Sequence, residues 1–142
     1  MLEFPQIVLH WFRHSKPSLP LAGAPVVPRE KIYSAQTGYV YRYFYLGHRP
    51  ASRDGAAGAE YVFEAAADTK SSFQAPVFLA DDAVAAWEQG HARPLTAAER
   101  YAVVKMALFQ AFDERPGPSH MRAEVRVRAA DIEALLENLG ID

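Results

Sequence analysis

The chain contains no cysteine, so neither a disulfide framework nor a thiolate nucleophile or metal ligand is available to it. It also lacks a charge excess. Fifteen basic side chains against seventeen acidic ones leave a formal net charge of -2, which supplies no overall field to attract a phosphate backbone or an anionic membrane. No stretch approaches the 18 or so uninterrupted apolar residues that a membrane-crossing helix needs. The opening Met1-Leu2-Glu3-Phe4-Pro5 has no basic leader, and His10, Arg13 and His14 interrupt the apolar stretch that follows. A secretory signal is therefore not expected, and a soluble, cytoplasmic protein is.

Half of the 142 residues are hydrophobic and 23% are charged, a balance that predicts a packed core over most of the chain. The length suits one domain. Residues 1–30 read as an N-terminal strand followed by a proline-punctuated arm (Pro17, Pro20, Pro25, Pro28), which cannot be regular helix or central strand. Residues 31–79 read as antiparallel strands: 31–35, a turn at 36–38, a tyrosine-rich strand at 39–46, a strand at 60–67 and another at 73–79 that Pro76 confines to an edge or cuts short. Gly47 to Ala59, with Pro50, Asp54-Gly55 and Gly58, is expected to form a loop or wide hairpin connection.

Residues 80–116 read as two helices. Asp81 or Asp82 would cap the first and Gly90 would stop it. Thr96-Ala97-Ala98-Glu99 has the spacing of a capping box, and Arg115-Pro116-Gly117-Pro118 ends the second. Residues 120–142 read as a strand, in which Met121, Ala123, Val125 and Val127 alternate with charged residues, and a helix carrying Ile132, Leu135, Leu136 and Leu139 on one face. The expected class is α+β, a mainly antiparallel sheet of four to five strands with about three helices packed on one face.

Tyr39, Tyr41, Tyr43 and Tyr45 stand two residues apart, so an extended chain turns all four phenols to one side. Such a row either fills a core or lines a binding surface, because a phenol packs as a hydrophobe and keeps a polar tip. If it faces the helices, it joins Tyr61, Phe63, Phe73, Val77, Val125 and Val127 in one layer. Arg42, Glu60, Glu64, Arg122 and Arg126 then share the outer face. The following segment brings His48, Arg49, Ser52, Arg53 and Asp54, a composition that would suit a small anionic ligand.

Other chemistries find less support. His10 and His14 would share a metal only on a helix, where their β-carbons stand about 5–6 Å apart; as a strand the run 7–12 would separate them by about 13 Å. No metal site and no cofactor are expected. Lys105, the only charged residue between Tyr101 and Phe112, could be an amine of lowered pKa, although a lysine whose stem lies along an apolar helix is commoner. Ser119-His120 has no partner acid in sequence and no strand-turn-helix setting.

RNA or single-stranded DNA could stack on an exposed tyrosine face. The alternation of Glu with Arg on the neighbouring strands disfavours it. The resulting expectation is a small binding or interaction module, non-catalytic, using the tyrosines Tyr39, Tyr41, Tyr43 and Tyr45 together with His48, Arg49 and Arg53. The alternative is an enzyme acting on a small anionic substrate. Val40, Phe44 and Leu46 point away from the tyrosines, so a covering partner is expected on that side: the arm with Trp11 and Phe12, or a second copy of the chain in a homodimer.

Overall fold

A computed structural model describes residues 19–68 and 71–140. Within them five strands form one sheet in the order β1-β2-β3-β4-β5, and three helices complete an α+β fold. The strands are β1 (Lys31–Ser34), β2 (Val40–Arg53), β3 (Ala56–Ala67), β4 (Phe73–Ala80) and β5 (Val125–Val127). The helices are α1 (Asp81–His91), α2 (Ala97–Glu114) and α3 (Ala129–Asn138). β1 to β4 form an antiparallel meander, and β5 joins β4 in parallel after the α1–α2 crossover. No helix among the described residues is long and apolar enough to cross a membrane.

The longest departure from expectation is at residues 47–59. Instead of a loop or a wide hairpin connection, β2 runs on to Arg53 and β3 starts at Ala56, so the two strands stay paired up to a tight turn at Asp54-Gly55. Both turn residues are left-handed, with φ of 53° and 82°. That is the conformation in which a two-residue turn matches the twist of its strands, and Asp-Gly is a preferred pair for it. Pro50 is tolerated within β2 because, beyond His48, the side of β2 away from β3 has no partner among the described residues. Pro76 obeys the same logic: β5 pairs only with Val77–Leu79, so β4 is an edge where the proline stands.

A bulge interrupts β2. Tyr45 pairs with Phe63 and Gly47 with Val62, leaving Leu46 as an extra residue. Counting by twos from Tyr45 puts Gly47 on the tyrosine side; the bulge instead brings His48 there, opposite Tyr61. Gly47 accepts the distortion with φ of 120°, and a β-carbon at that position would lie 2.8 Å from the Ala22 carbonyl oxygen. The arm touches β2 here through the paired amides and carbonyls of Ala22 and His48, each bond 2.9 Å.

Helix boundaries follow their caps. Thr96 Oγ1 accepts from the Glu99 amide at 3.1 Å while Glu99 accepts from the Thr96 amide at 3.0 Å, the expected capping box. At α1 the N-cap is Ala80, and Asp81 and Asp82 lie in the first turn, where negative charge favours the helix dipole. Gly90 does not stop that helix, which ends with Ala92 in the left-handed region. The expected strand over 121–128 shrinks to Val125–Val127, because Pro118–His120 forms a 3₁₀ turn that leaves Met121 buried but outside the sheet. Residues 4–14, including His10, Trp11, Phe12 and His14, lie outside the described residues, as do Thr69, Lys70 and Ile141.

The core lies between the helices and one face of the sheet. Tyr41, Tyr43, Phe63, Val77, Val103, Val104, Leu108, Phe112, Ile132 and Leu136 are all buried there. The opposite face carries Ile32 and Val40, both exposed, and the half-buried Phe44 and Leu46.

Candidate functional site

The tyrosine row divides along its length. Tyr41 is fully buried with its ring stacked 4.0 Å from that of Phe112, and Tyr43 meets Phe109 edge-on at 5.7 Å. Both rings pack against α2. The Tyr41 hydroxyl is buried without a hydrogen-bond partner among the described residues. Tyr39 sits at the far end, where a β-carbon on Gly117 would come within 3.2 Å of its ring.

Beyond Tyr43 a cavity of about 790 Å³ lies between the sheet, the start of α2 and the arm. That volume falls in the range of small-molecule sites. Tyr43, Tyr45 and His48 from β2 form its floor with Ala59 and Tyr61 from β3. One wall is Leu95 and the start of α2, including Ala97, Ala98, Arg100 and Tyr101; the other is the arm, from Gly23 and Pro25 to Arg29 and Lys31. The rings form one cluster. Tyr45 lies 4.8 Å from Tyr101 and 6.4 Å from Tyr61, and the His48 imidazole stacks on Tyr61 at 5.1 Å.

Burial keeps the phenols protonated. The Tyr43 hydroxyl is pushed up to about 12, first by desolvation and then by Tyr101. Tyr45 is raised further, again mainly by desolvation and then by Tyr61 and Tyr101. Tyr61 and Tyr101 are also raised by burial, with Arg100 pulling Tyr61 the other way. The four hydroxyls are therefore neutral at any physiological pH, and each can donate one hydrogen bond. Tyr45 Oη lies 2.9 Å from His48 Nδ1. With a neutral imidazole the hydroxyl donates to Nδ1, which places the ring proton on Nε2.

Charge around the cavity has one sign. Arg29, Lys31 and Arg100 line it, and no carboxylate does. Arg29 and Lys31 have no ion-pair partner among the described residues, and Arg100 reaches Glu88 only at 3.7 Å, with its Nε buried and unpartnered. Glu99, the acid nearest in sequence, is occupied by Arg93 at 2.9 Å and by the α2 cap, and Arg93 first and the Thr96 amide second hold its carboxyl down to about 2. The amides of Ala97 and Ala98, at the start of α2, add partial positive charge to that wall.

Of the residues named from sequence, the cavity gathers Tyr43, Tyr45 and His48. Arg49 and Arg53 project to the opposite face. There Arg49 pairs with Glu60 at 2.7 Å and Arg53 with Glu124 at 2.8 Å, while Arg53 also contacts Glu60 and lies 5.2 Å above the Phe78 ring. Arg126 extends the same network to Glu124 and Asp54. Tyr61, expected only as part of the apolar layer, and Tyr101, Arg100, Arg29 and Lys31 are not legible as site residues in the sequence, since they come from three separate segments, 29–31, 61 and 100–101. Ser119 and His120 lie 3.3 Å apart on an exposed turn with no acid joined to them among the described residues. Among the described residues no cluster of histidine and carboxylate side chains could hold a metal ion. Comparison with protein-family models, curated proteins and solved structures gives no match.

Proposed function

We propose that this protein binds a small ligand with a flat, aromatic or apolar body and an anionic group in the tyrosine-lined cavity. The observation that carries the reading is the convergence of four protonated phenols and three cationic side chains on one concavity without a carboxylate. Rings arranged around a cavity also suit a quaternary ammonium ion. Here such a cation would approach Arg29, Lys31 and Arg100 with no negative partner, which disfavours it. Stacking on Tyr45, Tyr61 and Tyr101 would hold the body, and the phenol and imidazole donors would orient it.

The test is a set of probes sharing one ring system: 1-naphthalenesulfonate, the neutral 1-naphthalenemethanol and (1-naphthylmethyl)trimethylammonium. In calorimetry and amide-shift mapping, the sulfonate binds best and shifts residues 43–48, 59–61 and 95–101. Tyr45→Ala and Tyr101→Ala each weaken it about tenfold, or 1.4 kcal/mol. Tightest binding by the ammonium probe, or shifts mapping to the outer face, would sink the proposal.

A further inference from the structure

We infer that the anionic group of this ligand is a dianion, a phosphate monoester, held at the β1 end of the cavity by Arg29 and Lys31 with Lys105 behind them, an inference that rests on reading the cavity as an anion site. Arg29 and Lys31 both line the cavity although they stand two residues apart at the end of the arm, so their side chains share one side. Lys31 is in register with Tyr43, which brings it over the tyrosine floor rather than the outer face.

Lys105 approaches from the helix side. It lies one turn along α2 from the cavity-lining Tyr101, with its Nζ 5.7 Å from the Phe109 ring, and Phe109 in turn packs against Tyr43. Burial lowers the Lys105 amine, and the positive charge of Lys31 lowers it further, so the two ammonium groups feel each other. Neither has an ion-pair partner among the described residues.

The acids in reach are committed or make no ion pair. Asp113 accepts from the Tyr33 hydroxyl at 2.6 Å and from the Gln36 amide at 2.9 Å, and Glu30, exposed, pairs with nothing among the described residues. Three cations gathered with no carboxylate paired to any of them among the described residues repel one another, and a ligand that supplies two negative charges relieves this better than one that supplies a single charge. A phosphate monoester carries about −1.5 to −2 charges at pH 7 and presents three acceptor oxygens. Arginine and lysine are the side chains that meet such a group.

The experiment compares 1-naphthyl phosphate, 1-naphthalenesulfonate and inorganic phosphate by calorimetry at pH 7.5, on the wild type and on Lys31→Met and Lys105→Met. The phosphate ester binds at least about tenfold tighter than the sulfonate, each substitution removes most of that preference, and inorganic phosphate alone binds far more weakly than the ester. Equal affinity for ester and sulfonate overturns the dianion while leaving the cavity an anion site. A preference unchanged in both variants overturns the assignment to these lysines, and inorganic phosphate binding as tightly as the ester removes the aromatic body. Failure of every probe to bind overturns the cavity reading and this inference together.

Discussion

The two ends of one tyrosine row have different neighbours and therefore different uses. At the Tyr41 end, Phe112 and Phe109 of α2 close down on the rings, and the hydroxyls become a burden that packing must carry. At the Tyr45 end, α2 begins with small residues, Ala97 and Ala98, and the space that larger side chains would fill stays open. What separates core from cavity is the size of the facing helix residues; the strand's own alternation is the same at both ends. A second contrast runs through the thickness of the sheet. On the outer face the arginines of β2 and β5 are matched by Glu60, Glu124 and Asp54, whereas on the cavity face Arg29 and Lys31 have no ion-pair partner among the described residues.

Truncating the closed end should have the largest effect. Tyr41→Ala is expected to cost about 3–5 kcal/mol of folding stability, as deletion of a large core ring does. Tyr45→Ala, at a half-buried ring beside a cavity, should cost less than half as much while weakening probe binding about tenfold. Denaturant titrations that rank Tyr45→Ala as the costlier change would break the comparison. The outer network comes next. Glu60→Gln removes the charge that Arg49 and Arg53 share at partly exposed positions, and should cost about 1 kcal/mol with no change in probe binding. A loss of binding in that variant would join the two faces functionally.

Smaller still is Tyr41→Phe, which deletes a buried hydroxyl with no hydrogen-bond partner among the described residues and should leave stability within about 1 kcal/mol of the wild type, or raise it. A drop of about 3 kcal/mol would show that the hydroxyl is satisfied. The smallest effect is acid dependence at the cavity's edge. The Glu99 carboxyl is held near 2 in the folded chain, below its usual value of 4.5, so its contribution is fully present above about pH 4.5 and fades as pH falls towards 2. Glu99→Gln should flatten that limb of the stability curve, and an unchanged limb would assign the acid sensitivity elsewhere.

Much of the fold was legible because its signals are local. The capping box at Thr96, the period-two strands and the apolar face of α3 each depend on a few neighbouring residues. The hairpin beyond Gly47 was misread because glycine and proline usually mark loops, and here an Asp54-Gly55 turn and a missing partner on one side of β2 made both acceptable within strands. The site was harder. Sequence grouped His48 with Arg49 and Arg53, yet adjacent strand residues face opposite ways, so His48 had to part from Arg49. The period-two pattern put Tyr61 in the layer of the tyrosine row, but nothing local revealed that Arg100 and Tyr101 would meet Tyr45, since that requires the docking of α2 on the sheet.

The extra residue at Leu46 bears on how relatives of this chain would be aligned. A chain lacking Leu46 would keep Gly47 opposite Val62 and His48 opposite Tyr61 in an unbroken ladder, so a one-residue gap there preserves the assignment of every later side chain to its face. The same gap placed two residues later would exchange His48 for Arg49 above Tyr61. An ungapped alignment to a shorter relative would therefore equate a cavity residue with a member of the outer ion network, and position 46 is where such a comparison should absorb a difference in length.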